Sequence, residues 1–388
     1  MKRFLLASMV GIMLVSCSDK IAENDNNGED EKPVPVFVDV TFNESTAEVD
    51  IPEAAVGVSC SSGTSADIVL SLDSSVTKEY IYRVKGYSAN GSLTINSAYK
   101  LTLLLAGVDI TSTTNAPVVH INCGKRISVI LQENTENSFA DNVRNEKRGA
   151  FYTKGHLEFQ GGGTLNLRGY AKHALCAKEY IRIKKGTGTI NILQAAGDGI
   201  HCGKGDQDPE NNYFRMNGGT LNFSNVTNDL IDCDDYGCAY INGGTLNLFL
   251  ESSDNKGLKA DSIIYVSGGV INLNVEGTSA IGIQSNYKSY FSGGTISGTV
   301  NAYGAIGIKG NNSKSSVTVL GGGDLCFNGS RVQLSVSGEK AYGIYAEADL
   351  EVFAGDIQLS GPQANEPGYK VGGAMSGEKN FMWTELAE

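Results

Sequence analysis

Short segments in which apolar, polar and apolar residues alternate recur along this 388-residue chain. One copy reads Leu165-Asn166-Leu167, and the pattern returns at 190–192, 221–223, 246–248 and 271–273. A period of two is typical of β-strands that bury the apolar pair and turn the Asn outward. A second segment, such as Gly282-Ile283-Gln284, recurs about half a period later. We therefore expect two or three short strands in each repeat and no helical repeat.

Pairs of glycine set the length of the repeat. They begin at Gly218, Gly243, Gly268 and Gly293, at intervals of 25 residues. A period in this range, filled with short strands and tight turns, predicts a solenoid in which each coil buries its apolar positions against its neighbours. The predicted fold class is all-β, a parallel β-helix of about eleven coils between residues 80 and 371.

The two ends of the chain differ from the repeats. Residues 1–16 join a basic start to a short apolar run, as in a signal peptide, and Cys17 stands where a lipoprotein is acylated. The predicted organisation beyond Cys17 is an acidic tether at 17–36, a small N-terminal β cap at 37–79, the β-helix at 80–373 and a tail at 374–388. We expect a lipid-anchored protein of the outer membrane or cell surface. The alternative is an ordinary signal peptide that happens to contain a Cys.

The charge of the chain restricts its partners. The formal net charge is −12, which excludes a nucleic-acid partner because such a partner requires a basic face. The sequence has no polybasic segment to hold a membrane surface, so we assign membrane contact to the N-terminal lipid alone. An acidic surface that binds an acidic polymer gains from a bridging cation, and the carboxylates are therefore the first candidates for a site.

Acidic residues concentrate where one step of the repeat stretches to 31 residues. In the repeat register Asp198 and Asp229 share a column one coil apart, and Asp234 shares its column with Asp261. Carboxylates stacked this closely repel unless a cation or a proton relieves them, and oxygen-rich clusters suit Ca²⁺. The predicted calcium ligands are Asp198, Asp229, Asp232, Asp234 and Asp235. The alternative is that Asp and Asn simply form the turns between strands.

Tyrosines form a second column. Tyr240, Tyr265 and Tyr290 are 25 residues apart, and Arg215 has the equivalent position one coil earlier. Exposed rings in this column would stack against the rings of a bound sugar. The alternative is a ladder of rings that stack on one another and stabilise the sheet. For the outward Asn column we favour a structural ladder of hydrogen-bonded amides over ligand contact.

The cysteines do not indicate a disulfide framework. Seven follow Cys17, and an odd number cannot all pair within one chain. Cys202 and Cys233 share a column of small residues, which favours buried thiols over a disulfide between adjacent coils. A zinc site formed by His201, Cys202, Cys233 and Cys238 is a further alternative, although these residues lack the spacing of paired zinc ligands.

An ordered set of segments resembles one known family. The segments are Lys125–Val129, Lys154–Asn166, His173–Leu175, Asp198–Ile200 and Met216–Asn222. Together, over roughly residues 80–310, they resemble bacterial carbohydrate-binding domains of right-handed parallel β-helix type, known from extracellular clostridial proteins that bind cellulose and polygalacturonate. The acidic residues after Cys17 resemble the export signal of Bacteroides-type surface lipoproteins.

The resemblance implies a right-handed β-helix that holds Ca²⁺ through the Asp of Asp-Gly-Ile segments. Those positions correspond here to Asp198 and, in the next coil, to Asp229 and Asp232. Later coils depart from the pattern because Lys256, Ile281 and Ile306 replace the Asp. We therefore expect no equivalent ion in those coils.

The function we predict is non-catalytic, calcium-dependent binding of a pectin-like or cellulose-like polysaccharide at the cell surface. The implied fold is also similar to that of calcium-dependent pectate lyases, so a polysaccharide lyase acting on uronate polymers is the alternative. Such a lyase needs a base for the α proton, and Lys204 and Lys259 are the candidates. A structural or adhesive surface protein is the second alternative.

Overall fold

The computed structural model describes residues 35–61, 65–203, 210–312, 322–365 and 367–386. The predicted signal peptide, the predicted lipid attachment at Cys17 and the candidate base Lys204 lie outside these residues.

The described chain consists almost entirely of strands. In chain order they are β1 (Phe37–Asn43), β2 (Thr46–Asp50), β3 (Val58–Cys60), β4 (Asp67–Leu72), β5 (Ile81–Ser88), β6 (Ser92–Asn96), β7 (Leu101–Thr111), β8 (Val119–Asn122), β9 (Ile127–Leu131), β10 (Glu136–Ala140), β11 (Gly149–Thr153), β12 (Leu157–Gln160), β13 (Thr164–Gly169), β14 (His173–Ala177), β15 (Ile181–Ile183), β16 (Thr189–Ala195), β17 (Ile200–Cys202), β18 (Tyr213–Phe223), β19 (Ile231–Cys233), β20 (Cys238–Leu250), β21 (Lys256–Ala260), β22 (Ile264–Val275), β23 (Ile281–Ser285), β24 (Ser289–Val300), β25 (Ile306–Gly310), β26 (Leu325–Val336), β27 (Tyr342–Ala346), β28 (Leu350–Gly361), β29 (Tyr369–Val371), β30 (Met375–Ser376) and β31 (Phe381–Glu385). Two short 3₁₀ helices are present at Gln363–Asn365 and Glu378–Asn380. Among the described residues, no helix is long and apolar enough to cross a membrane.

The strands form a parallel β-solenoid of about 12 turns with roughly 25 residues per turn, and the predicted fold class is confirmed. One sheet contains 13 strands, each paired with its neighbour in the adjacent coil. We call this surface face 1; it runs from β3 through β4, β6 and β8 to β29. The second sheet contains 18 strands and supplies the remaining surface.

The second sheet divides into two surfaces at the glycine pairs. β15 pairs with the first arm of β18, at Phe214–Met216, whereas β16 pairs with its second arm, at Thr220–Phe223. We call the surface formed by the first arms face 2 and the surface formed by the second arms face 3. Each regular coil thus has three strand segments, in agreement with the two or three expected.

The 25-residue glycine spacing marks the corner between face 2 and face 3. The second glycine of each pair has a positive φ, between 76° and 86°, which L side chains rarely adopt. The first glycine of each pair lets successive coils approach each other, since a Cβ on Gly243 would lie 2.8 Å from the carbonyl oxygen of Asn217 in the preceding coil. Glycine is therefore required at both positions, and the repeat is visible in the sequence for this reason.

The solenoid starts earlier and ends later than the boundaries at residues 80 and 373 drawn from the sequence. β1 pairs in parallel with β5, and β4 pairs in parallel with β6, so the solenoid begins near residue 37. The antiparallel strands β2 and β3 pair with β1 and β4 and cover the first coil. At the other end β31 pairs in parallel with β28, which places Phe381–Glu385 in the last coil. These terminal coils lack the glycine pairs that identified the others.

Inward columns form one continuous apolar core, and outward columns form ladders. Side-chain amides link Asn166, Asn191, Asn222, Asn247 and Asn272, with N–O distances of 2.6–2.8 Å between successive coils. The structural interpretation of the Asn column is therefore confirmed.

The column shared by Cys202 and Cys233 lies in the core. Both residues are fully buried thiols, and their Sγ atoms are 3.5 Å apart. His201 lies on the opposite, outward side of β17, where it contacts two carboxylates. Cys238 packs in a separate cluster with Tyr180 and Tyr213. The four residues of the alternative zinc site therefore do not converge.

Candidate functional site

Face 1 carries a cluster of buried titratable side chains across four adjacent coils. Its members are His173 on β14, Asp198 just before β17, His201 on β17, Asp229 just before β19, Asp232 on β19 and Lys259 on β21. The two histidines and three aspartates are each at most 7% exposed. Strand pairing fixes the column of His201, Asp232 and Lys259. We call these six residues the face 1 cluster.

Asp198 lies at the centre of the face 1 cluster. Its Oδ2 is 3.1 Å from His173 Nδ1 and 2.9 Å from His201 Nδ1. Asn228 Nδ2 donates to the other oxygen at 2.5 Å. The two imidazole rings stack, with centroids 4.5 Å apart and planes 16° apart. The carboxylate is therefore held by side chains from three successive coils.

The two histidines differ in protonation. Burial lowers the pKa of His173, whose Nδ1 accepts the backbone N–H of Asp198 at 3.0 Å. Burial also opposes charge on His201, but hydrogen bonds to Asp198 and Asp232 outweigh it and raise its pKa to about 9. Burial likewise opposes charge on Asp198, yet the imidazoles of His173 and His201 beside its Oδ2 bring its pKa well below the usual range. His201 and Asp198 thus form a buried ion pair near neutral pH.

The next coils add a second ion pair and a less compensated carboxylate. Lys259 Nζ lies 2.9 Å from Asp232 Oδ1. Asp229 accepts only the backbone N–H of Lys256, at 2.8 Å, among its described hydrogen bonds. Burial, supplemented by the charge of Asp232, raises the pKa of Asp229 to about 6. Asp229 is therefore the carboxylate of the face 1 cluster that would gain most from a cation.

The donor set of the face 1 cluster fits an oxygen-seeking cation. One carboxylate oxygen from each of Asp198, Asp229 and Asp232 lies within 4.8 Å of the other two. His173, Asp198 and His201 form a second group that meets the same criterion. A cation bound to the three aspartates would compete with His201 and Lys259 for the carboxylates of Asp198 and Asp232.

The structure divides the five predicted calcium ligands. Asp198, Asp229 and Asp232 come together, whereas Asp234 faces Asp261, as the register predicted. Burial together with the neighbouring Asp234 raises the pKa of Asp261 to about 6, despite Lys259 at 3.8 Å. Asp235 contributes its backbone carbonyl to Asn212 Nδ2, at 2.6 Å, from a left-handed turn with φ of 52°.

Lys259 is poorly suited to the catalytic base of a lyase. Burial alone would lower its pKa, but the charge and hydrogen bond of Asp232 raise it above the ordinary value of 10.5. A base must be deprotonated when it takes the α proton, and the ion pair with Asp232 opposes this.

The tyrosine column on face 2 forms a stack. Tyr265 lies between Tyr240 and Tyr290, with ring centroids at 5.7 and 4.9 Å and planes within 10° of parallel. The rings therefore cover one another's faces and present their edges to solvent. Of the two interpretations, the geometry favours the self-stacked ladder over stacking against sugar rings.

A cavity of about 510 Å³ lies at the edge of face 3, where the chain turns toward face 1. Phe249, 39% exposed, and Gln194 line it, and so do Thr227 and Leu230, which flank the segment that carries Asp229. Phe249 stacks on no other aromatic ring among the described residues, and its exposed part borders the cavity. A partly exposed aromatic ring beside polar side chains is a surface that can take a sugar ring.

Sequence reasoning did not identify His173 or Phe249 as site residues. The repeat length indicates His173, because His173 precedes Asp198 by 25 residues and therefore lies in the same column. No repeat pattern marks Phe249, because the other residues of its outward column are not aromatic. Its partner in the next coil is Asn274.

Comparison with solved structures lists one match, "Structure of the polysaccharide lyase-like protein from C. thermocellum, Gadolinium derivative". That match has 14% sequence identity and a TM-score of 0.35, covering 90% of this chain and 97% of the other. A likeness this distant carries no functional argument. No curated protein matches the sequence.

Residues 73–322, which include the face 1 cluster, the cavity and the tyrosine column, match the profile of one family. The chain belongs to the family of carbohydrate-binding domain-containing proteins.

Proposed function

We propose that this protein binds a polysaccharide without cleaving it. The observation that supports a polysaccharide ligand is family membership, which extends across residues 73–322. The ion pair between Lys259 and Asp232, 2.9 Å apart, favours binding over a lyase reaction, because it keeps the described candidate base protonated. The glycan lies in the cavity beside Phe249, where an aromatic face and polar side chains meet.

Calcium is the cofactor we propose for this binding. Asp198, Asp229 and Asp232 would hold the ion, and Asp229 supports this assignment because it lacks a cationic partner within hydrogen-bonding distance among the described residues. Bound Ca²⁺ would supply a positive charge that offsets acidic groups of the glycan and of the protein. We also propose that acylation of Cys17 holds the protein at the outer membrane or cell surface.

The proposal is tested by retention on insoluble cellulose and on cross-linked pectin, with and without a chelator. We expect retention on at least one of the two, and less of it after chelation. Ultraviolet absorbance of the supernatant monitors the unsaturated uronate that a lyase would release. Product formation that disappears in the Lys204→Ala or Lys259→Ala variant would establish the lyase instead. Absence of retention on every polysaccharide would favour a structural or adhesive surface protein.

Calorimetric titration with CaCl₂ tests the cofactor separately. We expect the wild-type protein to bind the ion and Asp229→Asn to bind it at least about tenfold more weakly, since the carboxylate is replaced by a neutral amide. Asp356→Asn, on face 3 and half exposed, is the matched control. Equal affinities for Asp229→Asn and wild type would contradict the ligand assignment.

A further inference from the structure

The tyrosine column of face 2 is interrupted by an arginine. Arg215 packs against both Tyr213 and Tyr240, with its guanidinium carbon 4.6 and 4.5 Å from the two ring centroids, which are themselves 5.8 Å apart with planes at 84°. Tyr213 is itself fixed by a parallel stack on Tyr180, 4.7 Å away. On the other side Tyr240 continues into the stack with Tyr265. The guanidinium therefore lies in the angle between two perpendicular rings, and both rings are held by further aromatic contacts.

Arg215 has no polar partner among the described residues. Its Nε is buried without a hydrogen bond, and no described carboxylate lies within 4.0 Å of the guanidinium. Arg182, in the same column one coil earlier, is different because it lies 3.0 Å from Glu158. Lys184 also pairs with Glu158, at 2.7 Å. Arg182 and Lys184 thus share the negative charge of Glu158, whereas no described carboxylate lies within 4.0 Å of Arg215.

A half-buried, preorganised and unpaired guanidinium is suited to an oxyanion. Its planar fork of N–H donors matches carboxylate and sulfate oxygens, and flanking rings hold the plane without using those donors. Little side-chain entropy remains to be lost on binding, because contacts with two fixed rings have already ordered the side chain.

We propose that Arg215 is an anion-recognition subsite that selects glycans bearing carboxylate or sulfate groups. This inference rests on the proposed polysaccharide binding and adds a specificity-determining residue to it. Arg215 lies on face 2, whereas the face 1 cluster lies on a different sheet. Recognition through Arg215 therefore does not require Ca²⁺, and the two contributions can be separated by chelation.

The test is affinity electrophoresis of the full chain in chelator, through gels containing polygalacturonate, its fully methyl-esterified form, dextran sulfate or dextran. The Arg215→Gln variant is expected to bind the two anionic polymers about tenfold more weakly than wild type, since a charge-assisted fork is removed. Binding to methyl-esterified polygalacturonate and to dextran should not change. A difference between polygalacturonate and dextran sulfate shows whether the carboxylate or the sulfate is the preferred group.

Two further variants separate recognition from folding. Arg215→Lys keeps the charge but not the fork and should retain part of the affinity for anionic polymers with an unchanged melting temperature. Arg331→Gln, which removes an exposed arginine paired with Asp356, should behave like wild type. Equal retardation of wild type, Arg215→Gln and Arg331→Gln by anionic polymers would overturn the subsite while leaving polysaccharide binding intact. Failure of wild type to bind any anionic polymer in chelator would overturn the subsite. Failure to bind any polymer when Ca²⁺ is added as well would overturn the proposed function.

Discussion

His201 shows how two carboxylates can hold a charge in a buried position. Its Nδ1 lies 2.9 Å from Asp198 and 3.4 Å from Asp232, and the ring is 3% exposed. In the unfolded chain an imidazole has a pKa of about 6.5, whereas here it is raised to about 9. The folded state therefore binds the proton more tightly than the unfolded state does.

The stability of the protein is accordingly expected to fall at alkaline pH. Because the folded pKa of His201 is raised, its contribution is fully present below pH 6.5 and is lost as pH rises through about 9. The loss should be on the order of 3 kcal/mol. Melting temperatures from pH 7 to 9 in chelator should decline for wild type and stay nearly level for His201→Gln. His120→Gln is the control, because burial lowers the pKa of His120 and its titration ends below this range. Parallel curves for wild type and His201→Gln would contradict the assignment.

Tyr265 makes a different residue-scale contribution. Its ring stacks on two others, so removing the ring breaks two contacts of about 0.5–1.5 kcal/mol each. Tyr265→Ala should therefore lower the free energy of unfolding by about 1–3 kcal/mol in a urea titration. Tyr87→Ala is the matched control, since Tyr87 is a strand residue, 50% exposed, with no ring contact among the described residues. Equal losses for the two variants would show that the stack does not stabilise the sheet.

At the scale of strands and turns, the glycine corners decide whether successive coils can stack. Gly244 has φ of +86°, and a Cβ there would lie 2.6 Å from backbone atoms of Gly218 and Gly219. Gly107 has nearly the same φ, +84°, but a Cβ there would meet nothing within 4 Å. The two positions share the backbone penalty and differ only in the contact with the neighbouring coil.

Alanine substitutions at these two glycines isolate the cost of coil contact. Gly107→Ala should cost about 1–2 kcal/mol, the penalty of a left-handed backbone. Gly244→Ala should cost about 2–5 kcal/mol, because overpacking against backbone is added to that penalty. The free energy of unfolding from denaturant titration measures both. If the two variants lose equal stability, close stacking at the corner does not limit the repeat.

The repeat explains how far sequence could predict this structure. Once the 25-residue period is known, residues one period apart must be neighbours, and this predicted the Asn ladder, the tyrosine column and the pairing of Asp234 with Asp261. The period does not predict contacts between residues at different positions of the repeat. The contact of His201 with Asp198 was therefore not predicted. Coils without a glycine corner, such as the one formed by β1 and β4, gave no signal and were assigned to a cap. The cavity beside Phe249 depends on how the loops of successive coils diverge. The alignment of repeats gives no information on those loops.

At the scale of the whole molecule, the three faces divide the chemistry. Face 1 carries the buried cluster of histidine, aspartate and lysine, and face 2 carries the aromatic stack with Arg215. Face 3 carries the Asn ladder. Because successive coils repeat each face, an extended polymer that follows the solenoid axis along one face would meet the side chains of that face at the coil spacing. A long glycan suits such a surface better than a small molecule does.

The central claim is that the cavity beside Phe249 binds polysaccharide, and affinity-gel mobility of wild type and Phe249→Ala tests it most directly. Phe249 lies in an outward column and is 39% exposed, so the substitution should leave the apolar core and hence the fold intact. We predict that a gel containing the bound polysaccharide retards wild type in the presence of Ca²⁺ and retards Phe249→Ala about tenfold less strongly, as loss of a ring-stacking contact requires. Equal retardation of the two proteins would contradict the proposed site, and no retardation of wild type by any polysaccharide would contradict the proposed function.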